Sequence, residues 1–322
     1  MSIVASAIGI DAHQRQLHVS IGKSKAFQVP NQEGPVSEFV AALPAGSVAH
    51  VEASGGYERL VCRVLREAGL EARVHNPLKA RRLFQAVGSS AKTDALDARG
   101  LSDRGPMLPV RPPKSAERQG LTDLSRAIDG IKSTASEFKK RCDMPEIDPH
   151  AREAYRRVVQ ALTEQLKGLR REFHELVTTS SSASLYELAL TVPDIGAETA
   201  RVCVSELPEN WRTASLAQLS VYAGLAPIDD SSGKRVQPAR LGRGNFRLKA
   251  IFYMPALLAV QRRQWAKDLY ARLRAKGRAH QQAIIAVMRR LFLRVMAVLR
   301  RGSPWTEEAP DDLRNAVAAA RT

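Results

Sequence analysis

The sequence predicts an α/β domain with a mixed sheet, followed by two long helices and then a basic, all-α domain. Three observations lead to this prediction. Short β-type runs alternate with helical periodicity over roughly the first third of the chain, two long apolar series follow a proline-rich stretch, and the excess positive charge lies near the C-terminal end. The chain has 322 residues, of which 44% are hydrophobic and 25% are charged. This composition excludes a disordered or collagen-like chain, and the length suits about two domains.

Residues 1–104 are predicted to form the α/β domain. Short apolar runs bounded by turn residues are typical of strands, and they occur at residues 3–10, 17–22, 25–29, 47–52 and 71–75. Amphipathic stretches bounded by helix start and stop signals indicate helices at residues 35–43, 57–68, 77–86 and 93–103. Three strands in a meander, then helix and strand in alternation, make a sheet of mixed direction. That order of elements is the one found in ribonuclease-H-like domains.

Residues 105–114 are predicted to be a linker, because their prolines cannot lie inside a helix. Beyond the linker, residues 115–180 carry two apolar series spaced three and four residues apart, which predict two long helices. The second helix is expected to begin at Asp148 as cap, with Pro149 at its first position. The two apolar seams fit a helical hairpin packed within one subunit and equally a coiled-coil arm that joins subunits.

Residues 185–302 are predicted to form the basic helical domain, with 303–322 as a tail. The stretch 231–302 holds 18 lysines and arginines and a single acid, whereas the rest of the chain is nearly neutral within a net charge of +16. So lopsided a segment favours a nucleic acid as partner, because each neutralised phosphate releases condensed counterions. The alternatives are a solvated basic surface or a membrane-surface patch. The stretch 283–299 predicts a helix with one buried side and one basic side.

The remaining composition bounds the setting of the protein. Its three cysteines lie far apart and form no ligand pair with histidine, which argues against a disulfide scaffold and a structural zinc site. No basic leader precedes the first apolar run, and the longest apolar runs fall short of the ~20 residues that span a bilayer. We therefore expect a cytoplasmic protein with no membrane partner.

Four acids are candidates for metal binding. Asp11 and Glu52 each end a predicted strand, and those two strands would be neighbours in the sheet. Asp94 and Asp97 share one helix face, about 5–6 Å apart. Four converging carboxylates would repel one another unless cations lay among them, and two divalent ions suit in-line displacement at phosphorus. For each acid alone, the alternative is an exposed or capping residue.

Several segments carry a further signal. The first domain contains GIDAHQRQLHVSI, HVEASGGYERLV and NPLKARRLFQAVGSSAKTDALDARGLSD. The later part contains VPDIGAETA, YAGLAPIDDSSGKR and FRLKAIFYMPALLA. Together these segments resemble the Piv/MooV-type DEDD transposases, which are insertion-sequence recombinases with a RuvC-like N-terminal domain and a C-terminal transposase domain. The resemblance covers nearly the whole chain in the same order.

The resemblance implies a RuvC-like fold for residues 1–104 and two Mg²⁺ ions per active site, or Mn²⁺ in their place. The four metal-binding acids of the family fall on Asp11, Glu52, Asp94 and Asp97. The chain departs from the family at two positions. His13 stands where the family often has lysine, and Asp194 replaces the first glycine of the usual Pro-Gly-Ile-Gly turn. An acid at this turn would repel phosphate, which argues against a direct grip of the 193–196 turn on DNA.

The resemblance also implies a serine nucleophile that becomes covalently joined to a DNA phosphate. That serine falls on Ser232, with Ser231 as the alternative, although a polar Asp-Asp-Ser-Ser-Gly stretch is also an ordinary turn. Nearby basic residues are expected to bind nucleic acid, namely Lys234, Arg235, Arg240, Arg243, Arg247 and Lys249. The implied partners are DNA at the element ends and target, a guide RNA from the element, and further copies of the chain in a dimer or tetramer.

The sequence thus predicts a transposase, a site-specific DNA recombinase of an insertion sequence. One alternative is a RuvC-like, structure-selective endonuclease that uses water and needs the four acids but no serine. The other is a non-catalytic nucleic-acid-binding protein, in which the basic segment acts alone and the acids are incidental. Binding that persists without divalent ions and without strand cleavage would favour the second alternative.

Overall fold

The computed structural model describes residues 7–22, 24–87, 93–110, 113–228, 240–242 and 244–306. The chain forms two compact units, residues 1–113 and residues 114–322. Each unit has its own hydrophobic core. Of the helices in these ranges, none combines the length and the apolarity that crossing a bilayer would require.

A five-stranded sheet organises the first unit, in the order β3-β2-β1-β4-β5. The strands are β1 (Ala7–Ala12), β2 (Gln16–Ile21), β3 (Phe27–Pro30), β4 (Val48–Glu52) and β5 (Glu71–His75). The first three strands are antiparallel neighbours, while β4 and β5 run parallel to β1. The predicted sheet of mixed direction is confirmed. The beginning of the first predicted strand, residues 3–6, lies outside the described residues.

Helices cover both faces of this sheet. They are α1 (Glu33–Ala41), α2 (Arg59–Glu67), α3 (Pro77–Ala86) and α4 (Asp94–Arg104). Ile8 and Ile10 of β1 share a core cluster with Val36 of α1 and Leu65 of α2. Side chains alternate between the faces of a strand, so Gly9 faces the opposite side, where α4 packs directly on it.

The predicted linker differs from the structure in its first half. Residues Gly105–Met107 form one turn of 3-10 helix, and Gly105 and Leu108 are buried. A Cβ on Gly105 would fall 2.3 Å from the ring of His50, so this glycine is needed where the chain passes over the sheet. Part of the proline-rich stretch can be helical, because proline is tolerated in the first turn of a helix.

The second unit is mostly helical. Its helices are α5 (Ala116–Cys142), α6 (Pro149–Thr178), α7 (Ala183–Thr191), α8 (Ala197–Glu206), α9 (Leu216–Tyr222), α10 (Phe246–Ile251), α11 (Tyr253–Arg262), α12 (Gln264–Ala275) and α13 (His280–Arg301). The all-α expectation needs one correction. A short antiparallel pair joins β6 (Pro227–Ile228) to β7 (Arg240–Leu241).

The long helices α5 and α6 form a hairpin that is built into the second unit. Asp148 caps α6, accepting hydrogen bonds from the amides of His150 and Ala151. Near its open end the hairpin buries Leu121 and Phe173 in the core of the unit. Towards the connecting loop, by contrast, Phe138 and Tyr155 are only half-buried, with ring centroids 5.7 Å apart. The hairpin within one subunit is therefore observed, and its use as an arm between subunits stays a prediction.

Helix α13 is enclosed to a greater degree than its amphipathic pattern predicts. Its apolar positions, such as Val287 and Val295, are fully buried. On the side predicted to be basic, the guanidinium carbon of Arg294 lies 3.8 Å from the centroid of the Trp265 ring, and that of Arg290 lies 5.6 Å from it. Burial lowers the pKa of Arg294 to about 10. The predicted basic side is thus partly used inside the unit.

Candidate functional site

Two of the four predicted acids lie side by side at one edge of the sheet. Strands β1 and β4 are parallel, and Ile10 pairs with Val51 in their register. The next residues along the two strands are Asp11 and Glu52. Asp11 is buried, with only 7% of its surface exposed, and Glu52 is half-buried. Parallel strands end at the same edge, which is why the sequence could predict this juxtaposition.

The other two acids lie in the first turn of α4. Thr93 caps that helix, its hydroxyl accepting a hydrogen bond from the amide of Leu96. Burial raises the pKa of Asp11, and the negative charges of Asp94 and Asp97 add to the rise, against an opposing effect of His13. The three aspartates are therefore close enough to interact electrostatically.

A cleft joins the fourth acid to this group. Its volume is about 300 Å³. The residues that line it are Glu52, Pro77, Leu78, Arg81, Phe84 and Asp97. The structure thus brings together all four acids predicted from the sequence, Asp97 being near Asp11 on one side and sharing the cleft with Glu52 on the other.

Helix α4 is held against the sheet at two positions. A Cβ on Gly9 would fall 1.9 Å from the carbonyl oxygen of Ala98. The hydroxyl of Ser102 donates to the carbonyl of Ala7 at 2.7 Å and lies 3.0 Å from that of Gly22. Sequence reasoning missed both residues. Gly9 carried a usable signal, since glycine inside a strand often marks a close backbone approach, whereas Ser102 carried none.

Two histidines border the acids, and only one of them was noticed in the sequence. His13 follows β1, and its Nε2 lies 3.3 Å from Asp11 Oδ2 and 3.5 Å from Asp94 Oδ2. His18 pairs with Asp11 across β1 and β2, and its Nε2 lies 3.6 Å from Asp94 Oδ2. The strict two-residue period of the hairpin could have indicated His18, because it places this residue opposite Asp11.

The side chains present fit a divalent cation. Carboxylate oxygens are the ligands that hard divalent ions prefer. Asp11 is the group with the clearest need for one, because it is a buried carboxylate with two further aspartates close by. A cation among these acids would offset both the burial and the mutual repulsion.

The predicted nucleophile and several predicted nucleic-acid ligands lie outside the described residues, namely Ser231, Ser232, Lys234, Arg235 and Arg243. Arg240 is described in its backbone alone. The structure does show how the two ends of this segment are held. Ile228 pairs with Arg240, and the amide of Asn245 donates to the carbonyl of Tyr222 at 2.6 Å. A Cβ on Gly244 would fall 2.1 Å from the amide nitrogen of Gly224, so the backbones touch at this point.

A buried polar network lies next to these ends. Glu206, whose side chain is 2% exposed, accepts hydrogen bonds from Arg126 at 3.1 Å, from Asn245 at 2.8 Å and from Arg247. Arg247 also pairs with Asp129 at 2.6 Å. The guanidinium of Arg247, predicted to bind nucleic acid, is therefore directed into the unit and 20% exposed. Lys249, from the same set, is half-buried on α10.

The acid in the α7–α8 turn is neutralised within the protein. Asp194 Oδ2 accepts a hydrogen bond from Arg263 Nε at 2.9 Å, and its side chain is 3% exposed. Its backbone adopts a left-handed conformation with φ of 67°. The expected repulsion between this turn and phosphate is therefore weakened by a partner that sequence spacing could not reveal.

Comparison with known protein families gives a match in each of the two units. Residues 8–144 match the DEDD transposase model of the IS110 type, and residues 186–271 match the transposase family IS116/IS110/IS902. The first match spans the sheet and all four acids, so this part of the chain is similar to DEDD-type transposases. Two separate stretches of the chain are therefore similar to the IS110/IS116 group of insertion-element transposases.

Three relatives illustrate the extent of the similarity. An IS116 insertion-element protein of Streptomyces clavuligerus is 31% identical over 47% of this chain and 37% of its own length. An IS110 insertion-element protein of Streptomyces coelicolor is 28% identical over 47% of this chain and 36% of its own length. The pilin gene-inverting protein of Moraxella lacunata is 25% identical over 79% of this chain and 80% of its own length. The matched region thus spans just over a third of the two insertion-element relatives.

Proposed function

We propose that the protein is the transposase of an insertion element and cuts and rejoins DNA strands by metal-assisted phosphoryl transfer. The observation that carries this proposal is the meeting of Asp11, Asp94 and Asp97 at the edge of the sheet where Glu52 also ends its strand. Carboxylates so arranged suit phosphoryl transfer, and residues 8–144 match a transposase family model.

The surroundings of each acid indicate the role that it would have in metal binding. Asp11 is held rigidly by β1 and is shielded from water, so it would anchor the ions. Asp94 and Asp97, in the first turn of α4, would complete the ligand set together with Glu52. When bound, two Mg²⁺ ions would neutralise charge on the reacting phosphate and favour ionisation of the attacking hydroxyl. Arg81, on the wall of the cleft, would bind a neighbouring phosphate of the strand.

Ser232 is the proposed nucleophile, with Ser231 as the alternative. Attack of its hydroxyl oxygen on phosphorus forms a serine–phosphate ester, and a DNA hydroxyl leaves with the proton. A hydroxyl of another strand then attacks the same phosphorus and releases the serine. Two such exchanges conserve the ester, so strands are rejoined without an outside energy source. The backbone pairing of Ile228 with Arg240 supports this role, because it fixes the residues on either side of the serine segment.

The proposed binding partners follow from the positive charge of the second unit and from the α5–α6 hairpin. The basic stretch 231–302 supports binding to DNA at element ends and target, and to a guide RNA from the element. The half-buried seam between Phe138 and Tyr155 supports pairing with another copy of the chain, as a dimer or tetramer. The water-using endonuclease is the competing function, because the acidic centre alone is enough for it.

A denaturing gel for a protein–DNA adduct tests the proposal. The full chain is incubated with Mg²⁺, element-end DNA and the RNA of the element, and compared with Ser232→Ala, Ser231→Ala and Asp94→Asn. Asp103→Asn is the matched control, because this acid is exposed on the same helix and contacts Arg104 only at 3.6 Å. We expect an adduct in wild type and control, lost in Ser232→Ala and Asp94→Asn. Cleavage that forms no adduct and is unaffected by either serine change would establish the endonuclease instead.

A further inference from the structure

The acidic centre carries nitrogen donors as well as carboxylates. His13 Nε2, His18 Nε2 and Asp94 Oδ2 all lie within 4.8 Å of one another, and this is the one place in the described part of the chain where three potential metal ligands meet so closely. Asp11 adjoins it, because its Oδ2 is 3.3 Å from His13 Nε2. The imidazoles therefore point at the same space as the acids.

The separations suit ligands of one ion better than they suit direct ion pairs. Two ligand atoms that each lie about 2.1 Å from an ion, at tetrahedral or octahedral angles, are about 3.0–3.4 Å apart. The three imidazole–carboxylate distances, 3.3, 3.5 and 3.6 Å, are at or just beyond this range. A charge-assisted hydrogen bond between imidazole and carboxylate would be shorter, about 2.7–2.9 Å.

The burial of these groups also suits a reactive metal site. Asp11 and His18 are largely enclosed, with 9% and 16% of their side chains exposed, and both lie on strands of the sheet. His13 and Asp94 are 49% and 46% exposed. An ion held here would have firm ligands on the protein side and open positions towards solvent, which a catalytic metal needs for its substrate.

We propose that His13 and His18 are metal ligands that, together with Asp94, make this a mixed nitrogen–oxygen centre for a divalent first-row transition ion. Imidazole binds such ions far better than it binds Mg²⁺, which prefers oxygen ligands alone. This inference rests on the proposed function, since it assigns two additional ligands to the same acidic centre. The centre would therefore take Mn²⁺ in preference to Mg²⁺.

Binding of Mn²⁺ alone to the full chain tests the inference without any DNA. Pulsed electron paramagnetic resonance detects coupling of the bound Mn²⁺ to imidazole nitrogen, and equilibrium titration gives the affinity. The variants are His13→Ala, His18→Ala and His18→Gln, which keeps the size of the partly enclosed side chain. His150→Ala is the matched control, because His150 is exposed on α6.

We expect nitrogen coupling in wild type and in His150→Ala, with Mn²⁺ bound about tenfold more tightly than Mg²⁺. Each of the other histidine changes should remove one coupling and weaken Mn²⁺ binding by about tenfold or more. His13→Lys should behave as His13→Ala does, because a lysine ammonium supplies charge without a free electron pair.

Mn²⁺ that binds without nitrogen coupling, with equal affinity in all histidine variants, would overturn the inference and leave the carboxylate centre intact. The proposed function fails separately. If Asp11→Asn and Asp94→Asn also leave Mn²⁺ affinity unchanged, and strand cleavage persists in both, the acids are not the metal centre at all.

Discussion

Gly9 of β1 and Ala98 of α4 are in direct backbone contact, so close that a Cβ on Gly9 would fall 1.9 Å from the Ala98 carbonyl oxygen. This contact determines how near α4 lies to the sheet. Asp94 and Asp97 are in the first turn of α4, whereas Asp11 is two residues after Gly9 on β1. The distance from Asp11 to Asp94 and Asp97 therefore depends on Gly9, a residue that has no side chain.

Gly9→Ala should separate the acids. The added methyl group must push α4 outwards, so we expect a loss of stability of about 1–3 kcal/mol, as for other overpacked cores. Metal binding and strand cleavage should fall at least about tenfold, since a displacement of 1 Å is enough to disrupt positioning. Denaturant unfolding, Mn²⁺ titration and the cleavage assay measure the three effects. Gly120→Ala, with open space around its Cβ on α5, is the control, and Gly9→Ala with wild-type cleavage would contradict the prediction.

Ser102→Ala should loosen the same helix without adding volume. Its hydroxyl lies within hydrogen-bonding distance of the carbonyls of Ala7 and Gly22, both of which lose this buried partner. We expect a cost of about 1–3 kcal/mol in unfolding free energy. Thr134→Ala is the matched control, because the Thr134 hydroxyl donates only to the Gly130 carbonyl of its own helix on an exposed surface. Equal stability of the two variants would show that Ser102 does not hold α4.

Glu206→Gln should destabilise the second unit strongly. Glu206 is buried and accepts from Arg126, Asn245 and Arg247, so the change removes the negative charge that these donors share and puts an amide N–H group against one of them. Loss of these hydrogen bonds at a buried carboxylate should cost about 1–3 kcal/mol, whereas exposed pairs are worth under about 1 kcal/mol. Glu164→Gln, which removes the exposed pair with Lys167, is the control for denaturant unfolding. A Glu206→Gln protein as stable as its control would refute the structural role of the network.

The same carboxylate predicts the response of the protein to acid. Burial would raise the pKa of Glu206, but hydrogen bonds from Arg126 and Asn245 outweigh burial and hold that pKa below its ordinary 4.5. The unfolded chain therefore binds a proton more readily than the folded chain does. The contribution of Glu206 to stability is complete above pH 4.5 and is lost as the pH falls through the lowered pKa. Unfolding free energy measured from pH 6 to pH 3, at about half-unit steps, should decline less steeply in Glu206→Gln than in wild type.

Gly244→Ala should impair the proposed serine chemistry and leave the proposed metal centre intact. A Cβ at this position would fall 2.1 Å from the Gly224 amide nitrogen. The Gly224 and Gly244 backbones, which flank the 229–239 segment, must therefore move apart. We expect the protein–DNA adduct to fall at least about tenfold, because the proposed nucleophile loses its positioning. Mn²⁺ affinity should stay at the wild-type value. Gly168→Ala, which meets no neighbour on α6, is the control, and normal adduct formation by Gly244→Ala would contradict the prediction.

Local chemistry explains why much of this protein could be predicted from its residues. Strand and helix periods, the caps Thr93 and Asp148, and the meeting of β1 and β4 each depend on a few neighbouring residues or on one topology. The four acids followed from the same reasoning, because each lies at a strand end or in a first helical turn. The family resemblance then pointed to recombination, and the two matched family models agree with it.

Other features were decided only by contacts between distant parts of the chain. His18 reaches Asp94 because β2 returns beside β1 and Gly9 admits α4, and Arg247 pairs with Asp129 across 118 residues of sequence. The Arg294 guanidinium likewise packs on the Trp265 ring instead of facing solvent. The sequence gives the charge of a side chain, but it does not give the partner of that side chain in the folded protein. Burial penalises any charge left unpaired, so the packed structure decides which histidines border the acidic centre and which arginines remain exposed.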